Sequence, residues 1–297
     1  MPRTGRRFGA VDRLSPLVGL TQTRLARLRD SYRVIAASPT ADSPASEPAS
    51  LPTGCIIITG AASGIGRAVV DVILERRHDV RLGLLDIDGE LLAVVQTEHP
   101  DRVEVAVCDV SDRAAVGAAV DAVAGRLPIV GLVTAAGTLH NRASIDLDEA
   151  DWGSVLGVHL DGTLWAAQAA ARSMGSHGGG AIVNFCSVAM EFGWPRRLPY
   201  SVAKAGVAAL TRTLAVEWAA DGVRVNAVSP GYVDTPMIRD AHAAGVLDAD
   251  AKAQAHALGR LAQAVEIAEV VEFLLSDRSS FITGEVVRVD GGFSVVK

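Results

Sequence analysis

The chain is poor in cysteine, in net positive charge and in long apolar runs. Three Cys (Cys55, Cys108, Cys186) among 297 residues are an odd number in apolar surroundings. They are too few for a disulfide scaffold, and a reducing, cytoplasmic setting is expected. A net charge of -6 gives no general attraction to nucleic acid, whose backbone calls for a surplus of Lys and Arg. No stretch reaches the roughly 18 apolar residues that would cross a bilayer, and the first residues lack the continuous apolar segment of a secretory signal. A soluble protein without membrane attachment is expected. His140, His177, His242 and His256 show no ligand spacing with Cys or carboxylates, which argues against a catalytic metal. No repeat at a solenoid period is visible.

What the chain does have is core-forming material. With 49% hydrophobic and 21% charged residues, it is neither globally disordered nor fibrous, and its length suits one large domain with an appendage. The charge is unevenly placed: residues 1–50 hold eight Arg against four acidic side chains, a net +4, which leaves -10 on the remainder. Leu25, Leu28, Tyr32 and Ile35 recur at helical spacing among Arg24, Arg27, Arg29 and Arg33, the pattern of a short basic amphipathic helix. Pro39, Pro44, Pro48 and Pro52 among Ala and Ser then read as an extended linker. Residues 1–53 are therefore expected to form a basic, Pro-rich, poorly ordered extension, and 54–297 the catalytic domain. A targeting peptide, a surface anchor and an extension without a role all remain open for the basic helix.

From Gly54 onward, short β-branched runs alternate with Ala-rich helical stretches. The runs are CIIIT (55–59), VRLGLLD (80–86), VEVAVCD (103–109), IVGLVTAAG (129–137), AIVNFCS (181–187), VRVNAVSP (223–230) and VVRVD (286–290). Helical spacing occupies 65–77, 113–126, 152–174 and 201–220. Near-continuous apolar strands separated by helices predict a parallel sheet covered on both faces, a doubly wound Rossmann-type α/β domain.

Directly after the first run comes TGAASGIG (59–66). Gly60, Gly64 and Gly66 permit a tight turn and close approach of backbone to a pyrophosphate held at a helix N-terminus, with Ser63 and Ile65 in the same loop. Twenty residues beyond Gly66 the second run ends at Asp86, where a carboxylate can accept from both hydroxyls of an adenosine ribose. That carboxylate would repel a 2′-phosphate, so NAD is favoured over NADP, although Arg67 and Arg81 are near in sequence and act against that preference.

Tyr200 and Lys204 lie four residues apart on an expected helix, hence on one face. An ammonium beside a phenol lowers the phenol pKa toward a range useful for proton exchange with an alcohol. Ser187 ends the fifth run, thirteen residues earlier, where its hydroxyl can meet the reacting oxygen. Cys186 is expected on the opposite face of that strand as a buried structural thiol. Phe192, Trp194 and Pro195 are candidates for an apolar substrate wall, and the Ala-rich segment 232–261 for a lid.

With these residues in this order, the chain resembles the classical short-chain dehydrogenase/reductase family over 54–297. Asp109-Val110, NAVSPGYVDTPM (226–237) and ITGEVVRVDGG (282–292) add to the match. The resemblance implies that Asp109 and Val110 hold the adenine, that Tyr200 is the acid/base and that Ser187 orients the substrate oxygen. It also implies that Lys204 binds the nicotinamide ribose, that 230–235, with Pro230, Val233 and Thr235, meets the carboxamide, and that the molecule is a homotetramer built on the long helices. Two departures stand out. Thr134-Ala135-Ala136-Gly137 replaces the family's Asn-Asn-Ala-Gly, with Ala135 and Gly137 still expected at the cofactor, and His159 stands where the family has a catalytic Asn. His159 either keeps a proton relay working, with a pH dependence sharpened near neutrality, or is a packed helical histidine. The expected activity is hydride transfer between NAD(H) and a secondary alcohol or ketone. The rivals are an NADPH-dependent 3-oxoacyl-thioester reductase and a non-catalytic dinucleotide sensor.

Overall fold

Ile56, Ile57 and Ile58 are all buried, yet they serve two different cores. Ile56 and Ile58 join one apolar cluster, while Ile57 and Cys55 join the other, because successive side chains of a strand point to opposite faces of its sheet. A sheet buried on both sides requires such runs. The computed structural model describes residues 53–125 and 127–296; the expected basic helix and the Pro-rich linker lie outside the described residues.

The strands are, in chain order, β1 (Gly54–Thr59), β2 (Val80–Asp86), β3 (Val103–Val107), β4 (Ile129–Thr134), β5 (Gly180–Phe185), β6 (Val223–Pro230), β7 (Val233–Asp234), β8 (Ala262–Gln263) and β9 (Val286–Val289). Seven of them form one parallel sheet in the order β3-β2-β1-β4-β5-β6-β9, while β7 and β8 pair separately. The expected doubly wound α/β fold is the observed one. The order reverses between β1 and β4, and the C-terminal ends of strands at such a switch point open into a crevice.

The main helices are α1 (Gly64–Arg76), α2 (Gly89–Glu98), α3 (Arg113–Ala124), α4 (Glu149–Leu156), α5 (Gly162–Ser176), α6 (Leu198–Glu217), α7 (Pro236–Ala243), α8 (Ala249–Gln254) and α9 (Ala264–Leu275). Val69, Val70 and Ile73 of α1 meet Ile267, Val271 and Leu274 of α9 on one face of the sheet. Val116 and Val120 of α3 meet Ala166, Ala170 and Met174 of α5 on the other. Each large side chain so buried stabilises the fold by roughly 1.5–3 kcal/mol.

The single helix expected over 152–174 is broken. Residues Gly157–Asp161 form a π-helical turn between α4 and α5, with His159 buried within it. Such one-residue insertions gather at functional sites. Helix α6 begins at Leu198, earlier than the expected 201, with Pro199 in its first turn, a position that loses nothing by the missing N–H.

Candidate active site

The loop after β1 is built so that only glycine fits. Gly60 has φ +66°, and a Cβ on it would lie 2.6 Å from the Ala136 nitrogen; a Cβ on Gly66 would lie 2.0 Å from the Gly60 oxygen. The close packing leaves the first turn of α1 facing the crevice. Ser63 stands at its N-cap without a side-chain cap bond, and no acidic residue occupies its first turn. Three other helices are closed off: Asp88 caps α2, Asp112 caps α3 and Asp148 caps α4. An uncapped helix start presents N–H groups and the positive end of the helix dipole to an anion.

Asp86 ends β2 at the same crevice. Its two oxygens accept from the backbone N–H groups of Ala62 (3.0 Å) and Asp88 (3.1 Å), which fixes the carboxylate while leaving lone pairs for a ligand. Arg67 and Arg81, near it in sequence, are engaged elsewhere. Arg67 pairs with Asp71 and Glu98, and Arg81 with Glu104; neither lines the crevice. Asp109 accepts from the Ser111 backbone and hydroxyl. These groups fit a dinucleotide: small residues at the pyrophosphate, an open helix end, and a fixed carboxylate beyond it.

One cleft of about 620 Å³ holds every expected catalytic and cofactor residue, from Gly60, Ser63 and Asp86 through Ser187, Tyr200 and Lys204 to Pro230, Val233 and Thr235. Ser187 is not the last residue of the strand, which ends at Phe185. It starts a short 3-10 turn, and its Oγ accepts from the Ala189 N–H at 3.2 Å. Lys204 is buried and donates from Nζ to the Phe185 carbonyl at 2.7 Å, with Nζ 5.7 Å from the Tyr200 ring centre.

The charge relations differ from those expected of Lys204 and Tyr200. Burial pushes the Tyr200 phenol above its usual value, and the Ser187 hydroxyl and the Arg197 guanidinium pull it back. Burial brings the Lys204 ammonium down to about 8. The Arg197 guanidinium is a second cation that favours the phenolate.

His159 occupies the departure position with a definite geometry. Its Nε2 lies 3.1 Å from the Thr138 N–H and 3.0 Å from the Thr138 carbonyl, and Nδ1 is buried without a partner among the described residues. A Cβ on Gly137 would lie 2.8 Å from the imidazole Cε1, so glycine there makes room for the ring. Burial, aided by Lys204, pushes the imidazole down to about 3. The expected sharpening near neutrality is thus corrected: the ring is neutral throughout that range.

The other departure lies beside a row of buried side-chain hydrogen bonds. Thr134 donates from Oγ1 to Asn184 Oδ1 at 3.0 Å, and Asn184 Nδ2 donates to Thr211 Oγ1 at 3.0 Å. All three are buried, and the chain of bonds ties β4 to β5 and α6 where the family's amides are absent.

Cys186 lies beyond the strand end and lines the cleft, against the expected opposite face. Its thiol is pushed up to about 11 by burial, which leaves it protonated and inert. Of the expected apolar wall, Trp194 lines the cleft whereas Phe192 and Pro195 do not; Pro236, Met237 and Ile238 of the expected lid do. Trp194 stacks on Tyr232 at 5.4 Å and 10°. Arg197 lines the cleft too and was missed. The sequence offered no clear signal for it, because Arg197 is the non-helical N-cap residue just before α6. Among the described residues no cluster of three or more His, Cys, Asp or Glu could hold a metal ion, and no helix is long and apolar enough to cross a membrane.

A doubly wound sheet with an open glycine loop at the switch point, a strand-end Asp and a Ser/Tyr/Lys group in one cleft defines a nicotinamide-dinucleotide oxidoreductase. A family model described as enoyl-(acyl carrier protein) reductase matches residues 60–294. The chain is 40% identical over 245 residues to cis-4-hydroxycyclohexanecarboxylate dehydrogenase of Sinomonas cyclohexanicum, covering 81% of this chain and 96% of that one. It is 36% identical over 248 residues to the 3-oxoacyl-acyl-carrier-protein reductase FabG of Thermotoga maritima, covering 80% and 97%. The crystal structure of levodione reductase superposes with a TM-score of 0.76 at 32% identity, covering 84% of this chain and all of that one. The chain belongs to the classical short-chain dehydrogenase/reductase family.

Proposed function

We propose that the protein is an NAD-dependent oxidoreductase that interconverts a secondary alcohol and its ketone. The observation carrying this reading is the convergence of Ser187, Tyr200 and Lys204 on the cleft that also holds Asp86 and the open end of α1. NAD, when bound, accepts or returns the hydride. Tyr200 takes the proton of the alcohol or supplies one to the ketone oxygen, and Ser187 holds that oxygen by its hydroxyl. Lys204, fixed by the Phe185 carbonyl, offers its remaining N–H groups to the nicotinamide ribose. His159 presents Nδ1 as a neutral donor or acceptor for the proton's exit. Gly60, Ser63, Gly64, Ile65 and Gly66 receive the pyrophosphate, Asp86 the ribose, Asp109 and Val110 the adenine, and Ala135, Gly137, Pro230, Val233 and Thr235 the nicotinamide end.

The fixed Asp86 carboxylate, with Arg67 and Arg81 committed to other acids, supports NAD over NADP. The relative named for cis-4-hydroxycyclohexanecarboxylate makes ring alcohols the first substrates to try. A second reading, an NADPH-dependent 3-oxoacyl-thioester reductase, is favoured by the Thermotoga relative and opposed by Asp86. A homotetramer through the helices spanning 152–174 and 201–220 belongs to the first reading, and light scattering on the purified protein checks it.

Calorimetric titration with NAD and NADP separately, followed by an alcohol panel read at NADH absorbance, tests the proposal. Tighter NAD binding with turnover of a ring alcohol supports it. Preference for NADP with reduction of a 3-oxoacyl thioester replaces it with the second reading, and cofactor binding without turnover of any substrate leaves a dinucleotide sensor.

A further inference from the structure

The cleft is charged in two zones. Its carboxylates, Asp86, Asp88 and Asp109, follow β2 and β3, whereas the lining contributed around Tyr200 contains no acid and includes Arg197. Arg197 is half-buried. One of its donors is used, Nη1 donating to the His140 carbonyl, and no carboxylate is its ion-pair partner among the described residues. Its neighbours differ: Arg142 pairs with Asp148 and Asp151, and Arg196 donates to the Asn141 side-chain and backbone oxygens. Arg197 lines the cleft together with Ser187, Tyr200 and Tyr232, so the guanidinium stands at the reacting end of the cleft.

The backbone is strained to put it there. Arg196 has φ +66°, the one non-glycine residue with positive φ among those described. This left-handed conformation costs a residue with a Cβ about 1–2 kcal/mol and persists only where its surroundings over-determine it. They do: the Arg196 carbonyl accepts from the Arg142 N–H at 3.2 Å, its Nε donates to Asn141 Oδ1 at 3.0 Å, and the Arg197 N–H closes the turn onto the Trp194 carbonyl at 3.3 Å. The turn thus brings the Trp194 ring, stacked on Tyr232, and a guanidinium without a carboxylate partner to one cleft.

We propose that Arg197 determines specificity by receiving a carboxylate, so that the substrate is a hydroxy acid or its oxo counterpart with an apolar, ring-sized body. This rests on the oxidoreductase reading for the word substrate, though not for the anion. A guanidinium offers a planar fork of donors that matches a carboxylate two bonds at a time. A neutral alcohol in the same place leaves that half-buried charge without a counter-ion, the situation in which polar sites discriminate most strongly. The ring-sized body lies against Trp194 and Tyr232, and the carbinol carbon lies beside Ser187 and Tyr200.

Because Arg197 also draws the Tyr200 phenol down, rates alone would mix two effects, and the test uses an unreactive pair. Cyclohexanecarboxylate and its neutral isostere cyclohexanecarboxamide are titrated calorimetrically into the full-length protein saturated with NADH. The acid is expected to bind roughly 10-fold or more tightly than the amide, with the preference abolished in Arg197→Met and partly kept in Arg197→Lys. The NADH affinity of each variant, measured first, reports whether its cleft has folded, and the Lys variant serves if the Met variant fails. Equal binding of acid and amide by the wild type, or a preference unchanged in Arg197→Met, overturns the proposal. Retained, Arg197-dependent acid binding with no turnover of any hydroxy acid would uphold the anion site and reject the oxidoreductase reading instead.

Discussion

The His159 ring stands edge-on to the Tyr200 ring, with centroids 5.1 Å apart and planes at 89°. A buried imidazole beside the acid/base candidate and near the Lys204 ammonium cannot afford a second positive charge, and its pKa of about 3 expresses that. The unfolded chain, with an ordinary His pKa of 6.5, binds the proton more readily. Stability from this group is therefore complete above about 6.5 and is lost as pH falls toward 3. At pH 5 the loss amounts to about 2 kcal/mol. Scanning calorimetry at pH 7 and pH 5 is expected to show a larger drop in Tm for wild type than for His159→Asn. In steady state, His159→Asn keeps most activity and His159→Ala lowers kcat more than KM; identical constants for wild type and His159→Ala would remove His159 from the proton path.

Tyr200→Phe removes the transferable proton and is expected to lower turnover by about 10²-fold or more with cofactor affinity retained. The pH profile carries a sign. A phenol raised by burial stays protonated at neutral pH, so ketone reduction, which needs the phenol, holds at neutrality and declines in alkali. Alcohol oxidation, which needs the phenolate, climbs with pH. Initial rates in both directions across pH 6–10 check the pair of slopes.

Asp86→Ser takes away the charge that opposes a 2′-phosphate. Two charges a few ångströms apart near a protein surface interact by some kcal/mol, so the ratio of kcat/KM for NAD over NADP is expected to fall by at least about 10-fold. An unchanged ratio would show that cofactor choice is made elsewhere.

Asn184→Ala cuts the bonded row Thr134–Asn184–Thr211 at its middle and leaves two buried hydroxyls without their partner. An unsatisfied buried polar group costs about 1–3 kcal/mol. Urea unfolding is expected to show that loss with an unchanged m-value, and NADH titration an affinity close to wild type.

The alternation of β-branched runs with helical stretches makes the sheet legible in the sequence, because a strand covered on both faces has little choice of residues. The glycine loop, Asp86, Ser187, Tyr200 and Lys204 were legible for a similar reason: each is constrained by local geometry at short sequence separation. The break at Gly157–Asp161 was not, since a π-turn keeps the chain helical through the insertion. The neutrality of His159 and the charge of Arg197 without a carboxylate partner depend on what the fold packs around them, burial beside Lys204 for one and the strained Arg196 turn for the other. Those contacts join segments up to 57 residues apart, and no local pattern records them.

The uncapped start of α1 has a thermodynamic corollary. A helix that keeps its first amides for a guest is complete only when the guest is present, so the dinucleotide acts as a folding ligand as well as a reactant. At a free concentration a hundred times its dissociation constant it raises the unfolding free energy by about 2.7 kcal/mol. A thermal melt with and without saturating dinucleotide reads that gain as a rise in Tm.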